Sequence, residues 1–312
     1  MITAIIEEMR ISQWVKNLFI FVALVLSSKL FDLKLLILVT QAFLIFSILS
    51  SGIYFLNDIF DVKKDREHPI KKNRPLASGR ISIIFAMIIS IFLITIALIA
   101  STFINVYFLI IIAIYLILQI LYNIKLKNVI IIDSLVITLG FILRLYAGAV
   151  AANVPVSSWL VLSTIGVALL LALGKRRAEV NLLKARNIDF NKTRGLLHKY
   201  PLSLLDSMIT MSATYSIITY SLFSHFDSPE LTFKDGSKVQ SILPHTLADA
   251  RWLLATIPFA IYGVARYLYI IYEKNEGESP HKSILSDAPM IINLLLWLIA
   301  LVIIFYSEVV FI

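Results

Sequence analysis

Residues 57–80 read NDIFDVKKDREHPIKKNRPLASGR, four acids and seven bases set between two stretches of nearly pure hydrocarbon. If the preceding helix continues past Phe55, then Asn57, Asp58, Asp61 and Asp65 fall within about a 100° arc at 100° per residue. Three carboxylates on one helical face repel one another and call for a cation. Carboxylate and amide oxygens suit a hard ion such as Mg2+, which is held by a few carboxylates together with a substrate's phosphates. The bases follow at once: Lys63, Lys64, Arg66, Lys71, Lys72, Arg74 and Arg80. Acids for a metal beside bases for anions describe a site for a metal–diphosphate complex. A solvated loop whose charges only orient the chain is the plainer alternative. Acids have no such orienting use, and their helical spacing would then be coincidence. The His-Pro and Arg-Pro steps mark turns, which makes His68 a turn residue rather than a ligand.

A second charged island, GKRRAEVNLLKARNIDFNKTRGLLHKY, covers residues 174–200. Lys175 and Glu179 stand four apart and can pair along a helix. Lys175, Arg176 and Arg177 together would also bind phosphate. Arg177, Lys184, Arg186 and Lys192 serve equally well, one by one, as charges that fix topology. Between the islands, VIIIDSLVITLGFILRLYAGAV carries Asp133 and Arg144 inside an apolar run. With Gly140 they lie within about 20° of one line on a helix. Ionisable residues at such depth face the interior, as part of a site or as a structural pair. Gly140 would admit close approach of a helix or a substrate.

The elements that position these residues follow from composition. The chain has 312 residues, 59% of them hydrophobic, and a mean hydropathy of +0.87, which excludes a water-soluble domain. A helical span needs about 20 apolar residues. Nine candidate spans fit, near 18–31, 34–56, 82–101, 106–122, 129–151, 158–174, 203–224, 251–272 and 288–311. The runs do not alternate as membrane strands do, so the expected fold is all-α: a polytopic bundle of nine transmembrane helices in a single domain, 1–312. Ser101, Thr102 and Asn105 break the long run after residue 81. The first residues carry Glu7, Glu8 and Arg10 and lack a small-residue cleavage site, so no cleavable leader is expected. Residues 1–17 read as an interfacial helix with Ile5, Ile6, Met9 and Trp14 toward lipid. With the N-terminus inside, 21 Lys and Arg fall on the inner side, 5 outside and 2 within spans. That bias places loops 57–80, 122–128 and 175–199 in the cytoplasm. The net charge of +8 is therefore mostly topology and not a nucleic-acid footprint. The absence of cysteine excludes disulfides and thiolate metal sites.

The stretch NDIFDVKKD resembles the NDxxDxxxD motif of the UbiA superfamily of intramembrane prenyltransferases. QWVKN (13–17), residues 57–79, YNIKLK (122–127), GFILRLYAGAV (140–150) and GKRRAE (174–179) are similar in order to its phosphoribosyl branch, which acts on decaprenyl phosphate. The last third is less similar. It has Arg266, Tyr267 and SDAPM (286–290), where the branch often has Asp-Arg-Pro, which leaves the role of Asp287 open, as that of loop 225–250 is. The resemblance implies a nine-span helical bundle in the plasma membrane that works in cell-envelope biosynthesis. It implies Mg2+ held by Asn57, Asp58, Asp61 and Asp65, with these three aspartates catalytic. It implies substrate contacts at Lys16, Lys71, Arg74, Tyr122, Lys125, Arg144, Lys175 and Arg176. The implied substrates are phosphoribosyl diphosphate and a polyprenyl phosphate, in contact with membrane lipid, with room for a homo-oligomer. Quinone-type and haem-type members carry a second acidic motif where this chain has GKRRAEV. Bases there suit a donor and acceptor that together bring an additional phosphate. A prenyltransferase with an aromatic acceptor is the nearer rival. A transporter is the remoter one, since transporters place polar groups at mid-membrane.

Overall fold

The computed structural model describes residues 1–67, 71–185, 200–228, 251–273 and 280–310, and within them it is helical. Helix α1 covers Ile2–Met9, a 3-10 segment runs over Ile11–Phe21, and α2 is Val22–Leu26. Then come α3 (Leu33–Glu67), α4 (Ile83–Thr102), α5 (Val106–Ile124), α6 (Ile132–Ala152), α7 (Ser158–Ala185), α8 (Leu202–Phe226), α9 (Ile257–Tyr272), α10 (Pro280–Ser286) and α11 (Ala288–Val310). Among the described residues, eight stretches are long and apolar enough to cross a bilayer. Of the nine expected spans only α8 falls outside that set. It has 25 residues but is rich in serine and threonine, and its buried Ser212, Ser216, Thr219 and Ser224 face protein. A helix with so many hydroxyls can cross only among other helices, where the hydroxyls bond back to the preceding turn, as Ser224 does to Tyr220 and Thr219 to Tyr215.

Helix α3 sets the site. Phe46, Leu49 and Ile53 form a buried stripe at three- and four-residue spacing, and it continues through Phe55, Asp58, Val62 and Asp65. The aspartates thus extend the core-facing side of a span beyond its apolar part. The expected break after residue 81 is present: α4 ends at Thr102, and Asn105 caps α5 by accepting from the Phe108 amide. The same Asn105 donates to Val150 O and ties that turn to α6.

One core gathers α2 to α6, and a second gathers α7, α8, α9 and α11, with α6 packed on α7 between them. The tightest approach is at Gly148 of α6, where a Cβ would lie 1.7 Å from Ile20 O of the 3-10 segment. Close packing was expected at Gly140. There a Cβ would meet the Arg144 guanidinium of its own helix at 3.3 Å and the α5 side chains of Tyr115 and Gln119 at 3.6 and 3.8 Å.

The N-terminus differs from its expectation. The helix stops at Met9, Arg10 takes a left-handed conformation at φ 52°, and the next turn already belongs to the first span. Of the four residues assigned to lipid only Ile6 is exposed. Ile5 and Met9 pack against the Phe55 and Val62 cluster, and Trp14 Nε1 donates to Ser51 Oγ at 3.1 Å. An indole with a partner on α3 turns inward, because its N–H would otherwise lose a hydrogen bond.

Candidate active site

The acids of α3 meet bases from three other elements. Asp58 is 2% exposed and accepts from Arg10, at the end of α1, and from Arg74 Nη1 at 3.2 Å. The same Arg74 nitrogen lies 2.6 Å from Asp65 Oδ2, so one guanidinium bridges two carboxylates. Asp61 accepts from Lys127 Nζ at 2.6 Å, in the turn after α5. Asn57 is half-buried on the same helix, and Lys71 is within electrostatic range of Asp65. Arg74 is aimed by its loop: Arg66 donates to Ala77 O, Ser78 Oγ to Arg74 O, and the Ser78 amide to the same carbonyl. His68 and residues 69–70 lie outside the described residues.

Asp58, Asp61 and Asp65 lie on one helix as the spacing predicts. Two of their partners were not named from the sequence. Lys125 is exposed at the end of α5, and its neighbour Lys127 holds Asp61 instead. Arg10 was counted only toward topology. Glu8, also on α1, is 1% exposed, with Asp58, Arg10 and Arg74 as charged neighbours. The available signal was the run EEMR in an otherwise oily terminus.

Deeper in, Arg144 is buried on three neutral acceptors: Asn17 Oδ1 at 2.8 Å, Gly140 O at 2.8 Å and Tyr115 OH at 2.8 Å. Its guanidinium also lies near the rings of Phe46, Tyr115 and Phe141. It makes no ion pair among the described residues, Asp133 included. Lys16 donates to Gln13 and is in electrostatic range of Lys175, Arg144 and Arg10. Arg10 and Lys175 have carboxylate partners, but Lys16 and Arg144 make no ion pair among the described residues, and that pair of cations is suited to an anion.

Asp133 has a different partner. Arg176 Nε donates to Asp133 Oδ2 at 2.5 Å, with both side chains 0% exposed. Arg176 also donates to Glu179 at 2.5 Å and to Tyr122 OH at 3.1 Å. Tyr200 donates to Asp133 Oδ1 at 2.7 Å and accepts from the Ile131 amide. Burial, then the adjacent Asp133 carboxylate, pushes the Tyr200 hydroxyl up to about 12. Against the expected phosphate role, the Arg176 guanidinium is enclosed by Asp133, Glu179 and Tyr122, so a phosphate could reach it only if one of them moved. Tyr122 is likewise drawn into the scaffold. Lys175 is 37% exposed and pairs with Glu179 at 3.8 Å. Arg177 pairs with Asp206 at 2.7 Å and lies over the Tyr272 ring. Arg186 and Lys192 lie outside the described residues, as do the side chain of Lys184 and most of loop 225–250. Asp287 is gripped by Arg266 through both oxygens, at 2.9 and 3.0 Å, and caps α11 at Met290 N.

Among the described residues no three carboxylate or imidazole groups converge tightly enough to hold an ion alone. Asp58 and Asp65 do converge, on the Arg74 nitrogen, and that cation marks where a second positive charge is tolerated. Two carboxylates with the remaining positions left to water and phosphate is the usual donor set for Mg2+, so these residues fit it.

A model of the UbiA prenyltransferase family matches residues 17–176. The chain is 31% identical to a decaprenyl-phosphate phosphoribosyltransferase of Mycolicibacterium smegmatis, over 96% of this chain and 91% of that protein. It is 30% identical to the protein of the same name from Corynebacterium glutamicum, over 96% and 86%. Among solved structures, a UbiA homolog from Archaeoglobus fulgidus bound to GPP and Mg2+ superimposes with a TM-score of 0.67 at 16% identity, covering 97% and 99% of the two chains.

Proposed function

Because this chain belongs to the UbiA prenyltransferase family, an integral membrane family, we propose that it is the enzyme that transfers 5-phosphoribose from phosphoribosyl diphosphate to a membrane polyprenyl phosphate and releases diphosphate. The observation that carries the reading is the Asp58–Arg74–Asp65 bridge, two carboxylates that converge on one guanidinium nitrogen where a divalent ion would sit in the working enzyme.

Asn57, Asp58, Asp61 and Asp65 are the residues that would hold the divalent ion. Mg2+ bound there would neutralise the charge that builds on the leaving diphosphate. Arg74, Lys71 and Lys127, released from the aspartates, face the donor's phosphate oxygens. Lys125 lies exposed at the mouth of the site. Lys175 and Lys16, with Arg144 behind them, hold the second phosphate-bearing group, the acceptor or the ribose 5-phosphate. The acceptor oxygen is already anionic, so no strong base is required. Catalysis then consists of alignment and stabilisation of charge around an oxocarbenium-like carbon. In this reading the site faces the cytoplasm, because the inner loops carry the basic residues, and the likeness to the phosphoribosyl branch makes the plasma membrane the host bilayer.

The test is to incubate membranes containing the protein with labelled phosphoribosyl diphosphate, a polyprenyl phosphate and Mg2+, and to resolve the lipid products. Label in a phosphoribosylated lipid is expected. Consumption of prenyl diphosphate with no use of the ribosyl donor would instead assign prenyl transfer.

A further inference from the structure

Ala4 and Glu8 are the two buried residues of α1, one turn apart on the face that packs against α3. The face is set by apolar contacts of Ala4, Ile5 and Met9 with the Phe55 and Val62 cluster, which place the Glu8 carboxylate beside Asp58. Neither Glu8 oxygen receives a hydrogen bond from any donor among the described residues. Its neighbour Glu7 is half exposed and paired with Arg80, so the burial is specific to position 8. An acceptor-only group buried without a donor is costly. Placed beside a second carboxylate, it is stable only with a proton or a cation between them. The two arginines in range are committed elsewhere, Arg10 to Asp58 and Arg74 to Asp58 and Asp65.

We propose that Glu8 is a further carboxylate ligand of the divalent ion at Asp58 and Asp65, supplied by the N-terminal helix; this rests on the metal–diphosphate reading above. Among the described residues the three carboxylates do not converge on one point, so binding of the ion draws α1 against α3 and brings Glu8 in to close one side. A proton shared between Glu8 and Asp58 is the competing arrangement.

The two are separated by titrating the detergent-purified full chain with Mn2+, without substrates, and reading free Mn2+ by electron paramagnetic resonance. Glu8→Gln is expected to weaken Mn2+ binding at least about tenfold. Glu8→Asp should recover part of the affinity, and Glu7→Gln should leave it unchanged. Asp58→Asn serves as the reference. If Asp58→Asn weakens Mn2+ and Glu8→Gln does not, the proposal is overturned while the metal site stands. If neither weakens it, the metal reading fails with it. Metal-free melting guards against misfolding. Glu8→Gln should melt no lower than the parent, since its amide can donate to Asp58. A large drop shared by Glu8→Gln and Glu8→Asp would mark Glu8 as structural and overturn the proposal.

Discussion

Asp58 and Asp133 are both buried carboxylates held by arginine, yet their surroundings differ. Around Asp58 the two arginines come from different elements and stay partly open, Arg10 at 16% and Arg74 at 29% exposed. Each also has a second carboxylate in range, Glu8 for Arg10 and Asp65 for Arg74. Around Asp133 the pair with Arg176 is fully enclosed, and Tyr200, Tyr122 and Glu179 take up the remaining donors and acceptors. A cation at the first cluster can be replaced by another cation without stranding a charge. At the second, any replacement leaves a carboxylate in a dry interior. The first suits the exchange for a divalent ion that we propose. The second clamps α6 to α7 and fixes the turn that presents Lys175.

The contrast is most exposed at Arg176. Arg176→Ala should cost about 3–5 kcal/mol of stability, because Asp133 then loses its charged partner among the described residues. Melting in detergent reads this. A variant that melts like the parent but binds donor poorly would move Arg176 back into the substrate site. At the open cluster, Asp61→Asn should lower kcat/KM about 10²–10³-fold in the phosphoribosyl assay. That corresponds to roughly 2.7–4 kcal/mol of lost charge stabilisation, with only a modest fall in melting, since the new amide oxygen can still accept from the buried Lys127. Normal turnover at low Mg2+ would break the open half of the contrast. Lys175→Ala, next to the sealed pair but exposed, should cost about 10–100-fold in kcat/KM at a loss of about 1.5–3 kcal/mol, and little stability. A large fall in melting would place Lys175 inside the clamp. Smallest of all, Arg80→Ala removes an exposed pair with Glu7 and should change neither rate nor melting measurably.

Much of this was legible because it is local. The 3.6-residue period put Asp58, Asp61 and Asp65 on one face, and the absence of a helix breaker before residue 67 let α3 carry them out of the apolar region. The same period placed Asp133 and Arg144 on one buried face of α6. The partners were not legible, since they depend on which elements dock. Arg10 and Lys127 are 48 and 66 residues from the acids they hold. A triple of bases at 175–177 looks uniform in one dimension, but the helix turns its members in different directions: Lys175 outward, Arg176 into the α6 contact and Arg177 toward Asp206. Trp14 was misplaced because an aromatic near a membrane boundary suits lipid or a buried hydroxyl equally well, and Ser51 lies 37 residues away.

The exchange claim is tested most directly by melting Asp58→Asn and Arg176→Ala side by side, each with and without Mg2+ and phosphoribosyl diphosphate. Saturating ligand at about a hundred times its Kd stabilises a binding-competent protein by about 2.7 kcal/mol. The account predicts that Asp58→Asn keeps most of its baseline stability and loses the ligand-induced rise. It predicts that Arg176→Ala loses baseline stability and keeps the rise. The reverse pattern, or the same loss of the ligand-induced rise in both, would contradict the division between an exchangeable cluster and a sealed one.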